Sequence, residues 1–124
     1  MVIVDTSVWV RFLSNQAPYA AGLERLLSDG EAVGHEFVFG ELLIGDRGGR
    51  RQLLDSYVLM VEAPVVPHSE VVSFIRERRL YGRGVGWVDA HLLASALVSR
   101  AMLWTADARL AAVANELGVA YSGK

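Results

Sequence analysis

Apolar and polar positions alternate in blocks along the chain, and the blocks have the lengths of strands and helices. Val2-Ile3-Val4 is a short β-branched run that ends at a charge, Asp5, which is the pattern of an interior strand of a parallel sheet. Thr6 to Leu13 then reads as a short helix, interrupted by Ser14 to Pro18. A second helix follows from about Tyr19 to Ser28, with Leu23, Leu26 and Leu27 on its apolar face. Ala32-Val33 predicts a short second strand, Glu36 to Ile44 a helix stopped at Gly45, and Arg50 to Tyr57 another helix. Val61 to Val66 predicts a third strand ended by Pro67. A helix starting at His68 or Ser69 comes next, with Val71, Val72, Phe74 and Ile75 turned inward. Beyond the flexible Gly82-Arg83-Gly84-Val85-Gly86 stretch lies a strongly apolar helix, about Val88 to Ser99. Ala101 to Trp104 is then a fourth strand, Asp107 to Leu117 a last helix, and Val119 to Tyr121 a fifth, marginal strand. Strands alternating with helices predict an α/β fold with a parallel sheet of four to five strands.

Four acids interrupt this pattern at informative places. Asp5 and Asp107 follow apolar strands, the second through Thr105-Ala106, so a parallel sheet brings both out at one edge, where ligands of such sheets bind. Glu41 breaks the apolar run Phe37 to Ile44, a costly place for an unpaired charge. Asp89 lies in the first turn of its helix, where the macrodipole favours an anion. Each has an ordinary structural reading: Asp5, Asp89 and Asp107 as helix caps, Glu41 as the partner of an arginine. Taken together, clustered carboxylates repel unless a cation holds them, and the natural cation for an all-oxygen set is Mg²⁺ or Mn²⁺. One or two such ions would activate water and stabilise charge on a phosphate, which points to phosphodiester hydrolysis. Thr6, Ser7 and Thr105 stand beside the acids as candidate orienting hydroxyls, or as turn and cap residues.

The 124 residues, 52% of them hydrophobic, are enough for one domain, 1–124, with one filled core. No cysteine is present, which excludes disulfides, thiolate metal sites and cysteine nucleophiles and suits a reducing cytoplasm. The start lacks the basic region of a signal peptide, and no apolar stretch approaches the ~20 residues of a membrane span, so a soluble cytoplasmic protein is expected. The net charge of −2 conceals a segregation. Residues 1–46 hold seven acids and two arginines, whereas 47–83 hold seven arginines and four acids. Arg47, Arg50, Arg51, Arg76, Arg78, Arg79 and Arg83 are therefore candidates for phosphate contacts, with a solvated surface, an acidic partner or the second subunit as the other readings. Trp9, Phe12 and Tyr57 are expected to be exposed apolar residues available to a second subunit or a partner. His35, His68 and His91 are expected to be structural or solvent-facing.

Four strings in order, Val2-Ile3-Val4-Asp5-Thr6-Ser7-Val8-Trp9, Gly40-Glu41-Leu42-Leu43, Gly86 to Ala94 around Asp89, and Trp104-Thr105-Ala106-Asp107-Ala108-Arg109-Leu110, resemble the PIN-domain nucleases. Within them the resemblance is to the small VapC-like toxins of toxin–antitoxin pairs, and it covers nearly the whole chain. It implies a PIN-like sheet with helices on both faces and a Mg²⁺- or Mn²⁺-dependent endoribonuclease. In that reading Asp5 and Asp89 are principal metal ligands, Glu41 and Asp107 complete the pocket, and Thr105 supports it. It also implies an RNA substrate, a homodimer and a cognate antitoxin.

Other functions fit less well. A phosphotransfer receiver needs a lysine near its acids, and the only lysine is the terminal Lys124. A haloacid-dehalogenase-like phosphatase wants an aspartate where Ser7 stands. The glycines at 82, 84 and 86 have no preceding strand, which argues against a dinucleotide loop. A catalytically silent protein- or RNA-binding module of the same fold remains the alternative from a different class.

Overall fold

In the computed structural model, which describes residues 1–122, three parallel strands form the sheet in the order β2-β1-β3. The strands are β1 (Val2–Val4), β2 (Ala32–Val33) and β3 (Met102–Trp104). Central β1 pairs Val2 with Ala32 and Ile3 with Val33 on one side, and Val2, Ile3 and Val4 with Met102, Leu103 and Trp104 on the other. All three β1 side chains are buried, as befits a strand covered on both faces. The helices are α1 (Thr6–Leu13), α2 (Tyr19–Ser28), α3 (Glu36–Ile44), α4 (Arg51–Tyr57), α5 (His68–Glu77), α6 (Trp87–Ser99) and α7 (Ala108–Glu116).

The sheet is smaller than the apolar runs suggested: three strands, not four or five. The run from Val61 to Val66 makes a single bridge, Gly34 with Glu62, held by Gly34 N–H to Val61 C=O and Ala63 N–H to Gly34 C=O, both at 2.8 Å. Pro64 and Pro67 lack the N–H that would extend it, so hydrophobicity alone does not make this segment a strand. The run from Val119 to Tyr121 likewise makes one bridge, Leu103 with Ala120, and stays an edge contact of β3.

From β1 the chain crosses to β2 on one side, and after β2 it returns past β1 to β3 on the other. The change of direction occurs at β1, so the crevice beyond its carboxyl end is the topological switch point where ligands of open parallel sheets bind. Asp5 is the residue placed there. Its N–H donates to Trp104 C=O at 2.8 Å, carrying the β1–β3 pairing one residue further and bringing Thr105 alongside.

Trp9 and Tyr57 are buried, at 1% and 2% exposure, and Phe12 is half-buried, contrary to the surface role expected for them. In so apolar a chain, the inward face of a short helix cannot be told from its outward face by hydrophobicity alone. Trp9 meets Phe12 and Tyr57 edge-on, with centroids 5.8 and 5.4 Å apart. The three rings line a groove of about 270 Å³ with Leu27, Leu53 and Met60.

Candidate active site

Asp5 occupies the N-cap position of α1 with extended backbone, yet its carboxylate makes no capping bond. Instead Asp5 Oδ2 accepts the Ser7 hydroxyl at 2.6 Å and the Thr105 hydroxyl at 2.8 Å. Both hydroxyls are themselves fixed by backbone donors from the turn after β3. Ala106 N–H donates to Ser7 Oγ at 2.9 Å, and Asp107 N–H donates to Thr105 Oγ1 at 3.0 Å. This chain ties the ends of β1 and β3 together around a carboxylate that is only 6% exposed. Its cap reading is thereby set aside, and its second oxygen accepts no hydrogen bond from the described residues.

The other three acids are held in the same one-handed way. Thr6 on α1 donates its hydroxyl to Glu41 Oε1 on α3 at 2.5 Å, so Glu41 has a hydroxyl partner and not an arginine. Asp89 Oδ2 accepts Gly86 N–H at 3.0 Å at the start of α6. Asp107 does cap α7, its Oδ1 accepting Arg109 N–H at 2.8 Å and Leu110 N–H at 3.1 Å. Each carboxylate thus has one oxygen tied to the fold and one without a hydrogen bond.

The four acids act on one another at Asp89. Burial pushes the Asp89 carboxyl above the usual range, the Gly86 N–H opposes that, and the charges of Asp5, Asp107 and Glu41 add to the rise. The ion pairs among the described residues are Met1 with Glu31 and Arg83 with Glu116, so no cationic side chain among them is ion-paired with any of the four acids. No three acid, histidine or cysteine side chains among the described residues are drawn in tightly enough to hold an ion as they stand. The donor set itself, oxygen only, uncompensated and with four oxygens free of hydrogen bonds, fits a hard divalent cation.

The expected hydroxyls divide as the geometry dictates: Ser7 and Thr105 serve Asp5, and Thr6 serves Glu41. Of the arginines, Arg47, Arg51, Arg76, Arg78 and Arg79 are exposed. Arg50 is engaged within the fold, donating to Leu42 C=O at 2.8 Å near the end of α3. Arg83 forms a two-pronged pair with Glu116 at 2.8 and 2.5 Å. Arg109, which charge segregation did not single out, lies across Gly84. A side chain at Gly84, whose φ is +77°, would stand 2.5 Å from Arg109 Cδ and 2.7 Å from Nη1. The signal available in the sequence was the glycine at 84 two residues before the glycine that holds Asp89.

His35 and His91 are buried. His35 Nδ1 accepts Phe37 N–H at 3.1 Å and caps α3, while Nε2 contacts Ser95 Oγ at 2.9 Å, and Ser95 donates to Pro64 C=O. That pattern assigns a neutral ring protonated at Nε2, and burial together with His91 lowers its pKa to about 4. His35 is thus a structural cap, whereas His91 packs edge-on against Phe37 and Trp87 with its buried Nδ1 lacking a hydrogen bond among the described residues.

The PIN domain family model matches residues 2–116, a span that holds all four acids. Ribonuclease VapC32 of Mycobacterium tuberculosis, in strains CDC 1551 / Oshkosh and ATCC 25618 / H37Rv, is 47% identical over 123 residues, covering 98% of this chain and 97% of the relative. With the switch-point site and these matches in hand, the chain belongs to the PIN-domain family.

Proposed function

We propose that the protein is a Mg²⁺- or Mn²⁺-dependent endoribonuclease that hydrolyses RNA phosphodiester bonds, the toxin of a type II toxin–antitoxin pair. Residues 1–124 would act as one nuclease domain, with helices on both sheet faces, as right-handed crossovers to opposite edges require. The observation that carries the reading is the set of four uncompensated carboxylates acting on one another at Asp89. Similarity to a ribonuclease over almost the full length supports the choice of RNA as substrate.

Asp5 and Asp89 would be the principal holders of one or two ions, with Glu41 and Asp107 completing the set. When bound, such an ion supplies Lewis-acid polarisation of a phosphate oxygen and a more acidic water. The chain's own residues do the positioning. Ser7 and Thr105 hold Asp5 Oδ2, Thr6 holds Glu41 Oε1, and the Gly86 N–H holds Asp89 Oδ2, each leaving the second oxygen for a cation. The exposed Arg47, Arg51, Arg76, Arg78 and Arg79 would meet RNA phosphates, with Arg50 and Arg83 contributing less because the fold already uses them.

A cognate antitoxin and a homodimer belong to the same reading. Leu43 and Ile44 at the end of α3, with Val58 and Leu59 after α4, offer exposed apolar area for a second copy. No helix among the described residues is long and apolar enough to cross a membrane, and a cytoplasmic location follows from the toxin reading. RNA cleavage assayed with Mg²⁺, with Mn²⁺ and with EDTA tests the proposal: activity only with a divalent ion is expected. Cleavage undiminished by EDTA contradicts it, and RNA binding without cleavage under any ion selects a silent binding module instead.

A further inference from the structure

Next to the carboxylates the chain builds a second feature, a small cavity lined by Ile75, Leu80, Tyr81, Val85, Trp87 and Ala90. We propose that it is a nucleobase subsite, receiving one base of the single-stranded RNA whose phosphate lies at the acids; this rests on the ribonuclease reading above.

Three observations favour a base. The first is position. Gly86 lines the cavity and also donates its N–H to Asp89 Oδ2, so one peptide is the shared wall of the cavity and the acidic pocket. A nucleotide threaded past Asp89 has its base within reach of the cavity. The second is lining. Tyr81 and Trp87 are 63% and 41% exposed, whereas Trp9 and Trp104 are buried. Large rings left open at the mouth of an apolar cavity are what unstacked bases of single-stranded RNA bind against, and such stacking tolerates any base. Trp87 is also held in place, tilted on His68 with centroids 5.0 Å apart and edge-on to His91 at 4.7 Å, so the platform loses little freedom on binding. The third is size. At about 220 Å³ the cavity is below the roughly 300–1,000 Å³ typical of pockets for drug-sized ligands, which suits a base alone with its sugar and phosphate outside. Arg109, across Gly84 and in no ion pair among the described residues, provides a cation for that phosphate.

The test uses the full chain carrying Asp5→Asn, free of divalent ions, so that nothing is cut. Tryptophan fluorescence is followed, with correction for absorption by the bases, as adenosine, guanosine, cytidine or uridine monophosphate is added, and ribose phosphate serves as the probe without a base. Because Trp9 and Trp104 are buried, the accessible signal belongs to Trp87. Saturable quenching by at least one nucleotide and none by ribose phosphate is expected. Trp87→Leu removes the reporter and gives the blank, and Val85→Phe, which fills the cavity while keeping Trp87, should weaken the quenching. In the otherwise native enzyme, Trp87→Leu should raise KM for RNA ~10-fold or more with a smaller change in kcat. Equal quenching by ribose phosphate, or an unchanged KM in a Trp87→Leu protein of native circular dichroism, overturns the subsite while leaving the nuclease reading intact. A Val85→Phe protein that changes sedimentation mass but not nucleotide quenching also overturns it, in favour of a contact between copies. If the native enzyme cuts no RNA at all, the nuclease reading fails, and the quenching experiment still decides whether the cavity takes a base.

Discussion

Replacing Thr105 by Val keeps the shape of the side chain and removes the hydroxyl that joins β3 to Asp5. That hydroxyl donates to Asp5 Oδ2 at 2.8 Å and accepts Asp107 N–H at 3.0 Å. A hydrogen bond to a charged group contributes roughly 1.5–3 kcal/mol and a neutral one roughly 0.5–1.5. Two facts favour the low end: Ser7 still donates to Asp5 Oδ2, and Thr105 is only partly buried, so water can replace some of what is lost. The expected loss is about 2 kcal/mol. At ~2.1 cal/mol/K per residue, 124 residues have an unfolding entropy of about 0.26 kcal/mol/K, so Tm should fall by about 8 °C. Thermal unfolding followed by circular dichroism measures this, and Mn²⁺ binding followed by the spectroscopic signal of the free ion should weaken in parallel, because Asp5 loses one of its two guides. Thr105→Ser, which restores the hydroxyl, should recover most of both. A Thr105→Val protein within ~2 °C of the native Tm would refute the claim that this hydroxyl organises the site.

Stability should also depend on pH in two opposing ways. The folded-state pKa of His35 is about 4 against 6.5 ordinarily, so the folded protein resists protonation there; its contribution is complete above 6.5 and is lost as pH falls toward 4, on the order of 3 kcal/mol. Urea unfolding from pH 7 to pH 4 should show this slope and His35→Gln should flatten it, whereas equal slopes would argue against the buried neutral ring. The Asp89 carboxyl is raised, so its effect has the other sign: ionisation weakens the metal-free fold, and the penalty is relieved as pH drops through its folded-state value. Asp89→Asn should therefore raise the metal-free Tm at neutral pH while losing Mn²⁺ affinity; a lowered Tm would contradict the repulsion. Gly84→Ala forces a side chain into φ +77° and against Arg109, which should cost about 1–2 kcal/mol and reduce the salt dependence of RNA binding by displacing that arginine. An unchanged Tm and salt slope would show that the loop accepts a side chain freely.

Much of the architecture was legible because its punctuation is local. The predicted bounds of α1, α2 and α3 coincide with the observed ones, set by Asp5, by Pro18 and Asp29, and by His35 and Gly45. The four acids could be chosen from sequence since each breaks an apolar element or ends a strand. What holds them was less legible. Ser7 and Thr105 meet on Asp5 only because β3 pairs with β1 after a separation of about a hundred residues. The fate of an arginine is also decided by tertiary contacts: Arg50 is used by a carbonyl eight residues away and Arg83 by Glu116 on α7, so charge segregation marked both without revealing that they are engaged. Hydrophobic runs overstated the sheet because an apolar run dictates neither burial nor backbone pairing: in the run from Val61 to Val66, Val61 is 70% exposed and Pro64 has no N–H to donate.

The most direct measurement compares RNA cleavage by the native chain and by Asp5→Asn in Mg²⁺ or Mn²⁺, with RNA binding determined in parallel. The substitution keeps the size of the side chain and leaves Oδ1 able to accept the Ser7 and Thr105 hydroxyls, but it removes the charge a divalent ion needs. Cleavage by Asp5→Asn should fall ~100-fold or more while RNA is still bound. Equal cleavage by the two proteins would contradict the assignment of Asp5 and its three partners as the catalytic metal-holding set.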